Sequence, residues 1–242
     1  MTTSREGGLM RILALAASPG DAEMCCGGTL ARVAATRGAV AICTLGNGNS
    51  LGSDLPPREL ADTHRAEAEA AAKSLGAELF WFGHSDFSVA NDAVTRMQLV
   101  EVLRKFRPNA LLVPAPVDAH HDLRDVSRLA LDAAHLAAAP TARTEQEPLD
   151  APPAVFAYQP RWLEGFTPDT YVDVSDTIDT KQAAIAHLKT LAQWYLTRRG
   201  IDIAEAAETV SAYRGLQAGV DFAEAFAAAS VAGSSATTRI LP

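Results

Sequence analysis

Over residues 9–139, short apolar runs alternate with longer stretches whose apolar residues recur at helical spacing, a pattern that few architectures accommodate. Residues 9–17 (LMRILALAA) have the length and near-uniform apolarity of a strand buried on both faces. Ser18-Pro19-Gly20 interrupts them, and residues 21–37 then carry a helical pattern that stops at Gly38. Further strands are predicted at 40–45, 78–82 and 110–113, and helices at 58–75, 93–106 and 122–139. Such alternation predicts an α/β fold: a Rossmann-like, doubly wound, mostly parallel sheet with helices on both faces.

The rest of the chain reads differently. Residues 1–8 form a flexible leader, and 140–153, rich in Pro, Thr and Glu, an exposed loop. Strands at 155–158 and 170–174, with helices at 180–195 and 223–229, make a small C-terminal extension within 155–242. Residues 9–242 are thus expected to form a single α/β domain.

Composition narrows the partners. A chain of 242 residues with 48% apolar and 21% charged side chains can bury a core without disulfides. Its 21 Lys+Arg against 29 Asp+Glu give a formal charge of −8, which argues against nucleic acid or an anionic membrane as partner. No apolar run approaches a bilayer span, and the first residues lack a signal-peptide pattern, so the expected location is cytoplasmic. Cys25, Cys26 and Cys43 have neither disulfide-framework nor zinc-ribbon spacing. Buried packing is the expected role of Cys26 and Cys43.

In a doubly wound sheet, ligands bind beyond the carboxyl ends of the strands. That directs attention to residues 18–30 (SPGDAEMCCGGTL). They are not a dinucleotide loop, because Gly27-Gly28 falls about two turns inside the predicted helix, nor a Walker loop, which needs Gly-Lys-Ser/Thr. Glycines so placed predict close packing against a neighbour. Asp21 and Glu23 fall in a first helical turn, where the macrodipole alone favours acidic residues.

With Pro19, Asp21, Ala22, Glu23, Gly27, Gly28, Thr29 and Leu30 in register, this segment resembles the Ala-His-Pro-Asp-Asp motif of the PIG-L/LmbE-like zinc-dependent N-deacetylases. Residues 44–48 (TLGNG), 67–76 (EAEAAAKSLG), 82–86 (FGHSD), 118–122 (DAHHD), 172–176 (VDVSD) and 223–226 (AEAF) extend the resemblance along nearly the whole chain. It implies hydrolysis of a linear amide, the N-acetyl group, commonly on a glucosamine unit. It also implies zinc held by a His and an Asp of the first motif and the last His of the second. Such a set leaves positions open for water and the acetyl oxygen.

Carried over residue by residue, the resemblance is incomplete. Ser18 stands for the first His ligand, Gly20 for the general-base Asp, and Leu123 for the closing His ligand. Asp21 is kept as a vestigial ligand, and His120 as the residue that would stabilise the oxyanion, with Asp122 beside it. One carboxylate does not make a zinc site, which takes three or four protein ligands, so no metal is expected. Zinc would return only if His121, which stands where the family has Pro, or Cys25 and Cys26 rebuilt a site.

The catalytic candidates are therefore His120, Asp122 and Asp21, and the substrate-binding candidates Ser18, Gly20, Glu23, Asn47, Asp118 and His121. On one reading the chain has lost zinc-dependent deacetylation and keeps a crevice for a polar small molecule, such as an amino sugar or its conjugate, alone or as a homo-oligomer. On the other it is an active N-acetyl hydrolase with an unconventional site, using His120 with Asp21 or Asp122. A Ser18–His120–Asp122 triad is a third arrangement, with no nucleophile-elbow sequence behind it. His64 is expected to cap or pair with carboxylates on its own helix, and His84, His135 and His187 to lie at the surface or in packing contacts.

Overall fold

The computed structural model describes residues 9–50, 55–159 and 166–229, so the expected leader at 1–8 lies outside them. Strand and helix alternate through β1 (Arg11–Ala16), α1 (Asp21–Ala35), β2 (Ala39–Gly46), α2 (Pro57–Ser74), β3 (Ala77–His84), α3 (Ala93–Phe106), β4 (Ala110–Pro114), α4 (His121–Ala137) and β5 (Ala154–Tyr158). The chain continues through β6 (Thr170–Asp173), a 3₁₀ turn at Ser175–Thr177, α5 (Ile178–Ile185), α6 (Lys189–Arg199), α7 (Ile203–Ala218) and β7 (Ala223–Ala229). The strands form one sheet in the order β3-β2-β1-β4-β5-β7-β6. β1 to β5 pair in parallel, and β7 runs antiparallel between β5 and β6. The α/β fold is as expected.

β1 shows why its sequence is apolar throughout. Ile12, Ala14 and Ala16 join the core layer that includes Leu30, Ile185 and Phe226, whereas Leu13, Leu15 and Ala17 join the layer that includes Leu99, Val126 and Leu129. Side chains alternate along a strand, so a strand covered on both faces has no polar positions to spare. The helix-interior glycines are close-packing sites too: a Cβ on Gly28 would stand 2.7 Å from Val174 Cβ, and one on Gly27 3.1 Å from Lys181 Cγ.

Three features of the C-terminal third depart from expectation. Residues 223–229 (AEAFAAA) form β7 rather than a helix. Alanine favours helix only weakly, and pairing with β5 and β6 on both sides outweighs that preference. The helix expected at 180–195 is broken at residues 186–188 into α5 and α6. α7, which the sequence reading did not anticipate, lacks a clear apolar stripe because it is lined with alanine. The 140–153 segment is tethered by Arg104, whose guanidinium donates to the carbonyls of Ala137, Ala139 and Ala142.

Candidate functional site

Strand order reverses at β1, whose neighbours β2 and β4 lead away in opposite directions, which is where doubly wound sheets bind ligands. Backbone hydrogen bonds stitch the loops of this edge together. Gly46 N–H donates to Ala17 O (3.0 Å), Asn47 N–H to His84 O (2.8 Å) and Ala115 N–H to Tyr158 O (2.8 Å).

The turn after β1 is built by its own residues. Gly20 has φ +93°, a conformation that a side chain disfavours. Asp21, wholly buried, accepts the Ser18 N–H on Oδ2 at 2.8 Å. A Cβ on Gly20 would stand 2.5 Å from Leu191 Cδ2 and 3.3 Å from Leu188 Cδ1. The break between α5 and α6 brings those two leucines here, and Glu67 of α2 fixes the start of α6 by accepting the Thr190 N–H (3.0 Å) and hydroxyl (2.9 Å). The position of the general base in the resemblance is thus covered by Leu188 and Leu191.

Next to it, Glu23 is buried with neither carboxylate oxygen hydrogen-bonded among the described residues. Burial, reinforced by the neighbouring Asp21 charge, pushes its pKa up to about 7. The sequence offers Glu23 both as a first-turn carboxylate favoured by the dipole and as a substrate-binding candidate; its complete burial is visible only in three dimensions.

At the second motif, Asp118 Oδ1 accepts the His120 N–H at 2.7 Å, and His120 precedes α4 as its N-cap. Asp122 is wholly buried; its Oδ2 accepts the Phe87 N–H at 2.8 Å, while Oδ1 has no partner among the described residues. Phe87 has φ +62° and lies with its ring stacked on His120, centroids 4.8 Å apart. His120 Nδ1 is also without a partner there, so Asp122 does not orient the imidazole and the Ser18–His120–Asp122 triad is not assembled. Leu123 is 2% exposed and belongs to the core layer that includes Ala17 and Val126. His121 is exposed and lies 3.9 Å from Asp125 on its own helix.

Asn47 and the loop around it join β2 to the turn after β3. Asp86 accepts the Gly48 N–H (2.9 Å) and the Ser50 N–H (2.9 Å), and Asn47 Nδ2 donates to Gly83 O (3.2 Å). His64 is buried, with Nδ1 3.3 Å from Asn47 O. Its hydrogen-bonding contact is thus a backbone carbonyl rather than a carboxylate of its own helix; burial lowers its pKa, opposed by the charge of Glu67 on that helix. His84 ends β3 with Nε2 buried and unpartnered among the described residues, while His135 and His187 are exposed. Cys26 and Cys43 are wholly buried in the core. Phe87 and Leu191 were missed by the sequence reading, which followed polar residues alone.

The contacts therefore assemble Ser18 with Asp21, His120 with Asp118, and Asp122 with Phe87, all on one sheet edge. Ser18 and Leu123 supply no imidazole, and among the described residues no three His, Cys, Asp or Glu side chains come together as a metal ion requires.

The family model of the PIG-L proteins, described as GlcNAc-PI de-N-acetylase, matches residues 13–134, half of the chain. This chain belongs to the PIG-L family. A 4-oxalmesaconate hydratase of Pseudomonas putida is 31% identical over 137 residues, covering 54% of this chain and 52% of that protein. The match thus spans about half the length of that relative. Among solved structures, the 4-carboxy-2-hydroxymuconate hydratase of Pseudomonas putida superimposes with a TM-score of 0.82 at 25% identity, covering 95% of this chain and 99% of that one. A conserved protein of Thermus thermophilus does so with a TM-score of 0.77 at 30% identity, covering 94% and 98%. This PIG-L chain thus resembles hydratases as well as the de-N-acetylases that give the family its description.

Proposed function

We propose that this PIG-L protein binds a polar small molecule at the carboxyl edge of its sheet and does not carry out zinc-dependent removal of an acetyl group. The observation that carries this reading is Leu191 over Gly20: a side chain at position 20 would have to displace Leu191 Cδ2, 2.5 Å from its Cβ, and adopt φ +93°. Loss of the imidazoles at positions 18 and 123 acts in the same direction.

Unsatisfied buried polar atoms support a polar ligand. Both Glu23 carboxylate oxygens, Thr44 Oγ1, His84 Nε2, His120 Nδ1 and Asp122 Oδ1 lack partners among the described residues. Each such atom costs about 1–3 kcal/mol unless hydrogen-bonded. A molecule dense in hydroxyl and amide groups, such as an amino sugar or its conjugate, matches that demand. In this reading His120, Asp122 and Glu23 contact the ligand, Asp21 and Gly20 shape the turn beneath it, and Ser18, Asn47, Asp118 and His121 form its margin. The protein acts in the cytoplasm as one domain over residues 9–242, with a small molecule rather than nucleic acid or membrane as partner, and self-associates. No described helix is long and apolar enough to cross a membrane.

A second reading, metal-free hydrolysis of an N-acetyl group, draws on Glu23. A carboxyl group with a pKa of about 7 can hold or release a proton at neutral pH. One experiment separates the two. Ligand-observed NMR with N-acetylglucosamine and glucosamine should detect binding that His120→Ala weakens tenfold or more, with no acetate released in the presence or absence of added zinc. Release of acetate without zinc would favour the second reading, and release that needs zinc would overturn both.

A further inference from the structure

A cavity of about 50 Å³ lies between α1, α5, α7 and the start of β7. Met24 divides it from the turn at Gly20: its Cε lies 3.6 Å from the place of a Gly20 Cβ, and its side chain also forms part of the cavity wall. The wall has two characters. Met24, Ala206, Val210 and Ala225 give it an apolar side, and Lys181, Ser211, Arg214 and Glu224 a charged one.

Among the described residues the charges do not balance. Lys181 and Glu224 neutralise each other at 2.8 Å. Arg214 is 8% exposed and, among the described residues, donates to two neutral amides, Gln159 Oε1 (2.6 Å) and Gln217 Oε1 (2.7 Å), and to no carboxylate. The rings of Tyr213 (5.3 Å) and Phe166 (5.9 Å) add cation–π attraction but no negative charge. Arg104, more deeply buried, also has no carboxylate partner among the described residues, yet each of its guanidinium nitrogens donates to at least one backbone carbonyl. Within the described residues Arg214 thus keeps unused N–H donors and an uncompensated charge beside a cavity. Lys181 adds another donor, since an ammonium has three and its hydrogen bonds to Ser211 and Glu224 use two.

We propose that this cavity is a binding site for a short-chain monocarboxylate. The carboxylate takes the free donors of Arg214 and Lys181, and the alkyl chain lies against Met24, Ala206 and Val210. The planar guanidinium fork matches a carboxylate, and a single negative charge balances the single excess positive one. A doubly charged phosphate would overshoot that balance and face Glu224. Size agrees: at about 10–15 Å³ for each water-sized group, the space of about 50 Å³ suits about three to five heavy atoms, as in acetate or propionate.

Propionate titrated into the full chain and followed by isothermal titration calorimetry tests this. One saturable site per chain is expected, at least tenfold weaker in Arg214→Gln and in Ala206→Phe, which fills the apolar end. Propan-1-ol and inorganic phosphate should each bind at least tenfold more weakly than propionate. Should Arg214→Gln fail to fold, Ala206→Phe and the comparison of the three ligands decide the matter. Absence of saturable binding, equal binding of propan-1-ol or phosphate, or propionate affinity unchanged in Ala206→Phe would overturn the proposal. His120→Ala should leave propionate affinity as it is; weakened binding there would move propionate to the strand-end site and also overturn it.

Discussion

Lys181 Nζ stands 2.8 Å from Glu224 Oε1 with both side chains only 2% exposed. Glu224 also accepts the N–H groups of Gly28 (3.0 Å) and Thr29 (2.8 Å), so one carboxylate ties β7 to α1 and α5. Removing one member of such a pair strands the other's charge. Lys181→Met is therefore expected to cost about 3–5 kcal/mol, and Lys181→Met with Glu224→Met to recover much of it. Urea unfolding of both single variants and the double variant measures the coupling. A single variant within about 0.5 kcal/mol of the parent would show that the pair does not hold these elements together.

Glu23 gives the stability a pH dependence. Its pKa rises from 4.5 to about 7 on folding, so the folded state holds this proton more tightly than the unfolded chain does. The resulting stabilisation is fully present below pH 4.5 and is lost as pH rises through about 7, to a total of about 3 kcal/mol. Glu23→Gln has no proton to lose, so its stability should fall less than the parent's between about pH 5 and about 8. Parallel slopes in denaturant unfolding across that window would remove Glu23 from the account.

Asp122 holds the Phe87 N–H at 2.8 Å and so keeps Phe87 at φ +62°, stacked on His120. Asp122→Ala should release that turn and cost about 1–3 kcal/mol, the usual range for leaving a buried hydrogen-bonding group unpaired. Amide hydrogen exchange at Phe87 should quicken at least tenfold while exchange in β1 stays slow. Unchanged exchange at Phe87 would mean that the carboxylate does not fix the turn.

The parallel half of the fold could be read from residues 9–139 because local pattern and tertiary role agree there. β1 is apolar at every core position, and the helices that cover it have helical spacing. At residues 223–229 they disagree: AEAFAAA has helical composition, and only its place between β5 and β6 makes it a strand. Within the site, the missing imidazoles at Ser18 and Leu123 and the missing carboxylate at Gly20 could be read directly, since they are matters of residue identity. The cover over Gly20 could not be read there. Leu191 lies 171 positions away, and it reaches the turn only because residues 186–188 break a helix that its sequence would continue.

That cover also decides what restoring the missing residues should do. Ser18→His, Gly20→Asp and Leu123→His together replace the residues that the resemblance lacks, yet Asp at position 20 collides with Leu191 at 2.5 Å and occupies φ +93°. The triple variant should remain without stoichiometric zinc, and adding Leu191→Ala should be needed to create the affinity. The most direct measurement is the zinc content of the unaltered protein, purified without chelators and dialysed against micromolar zinc, determined by inductively coupled plasma mass spectrometry. Well under one zinc per chain is expected. One zinc per chain, retained through gel filtration, would contradict it.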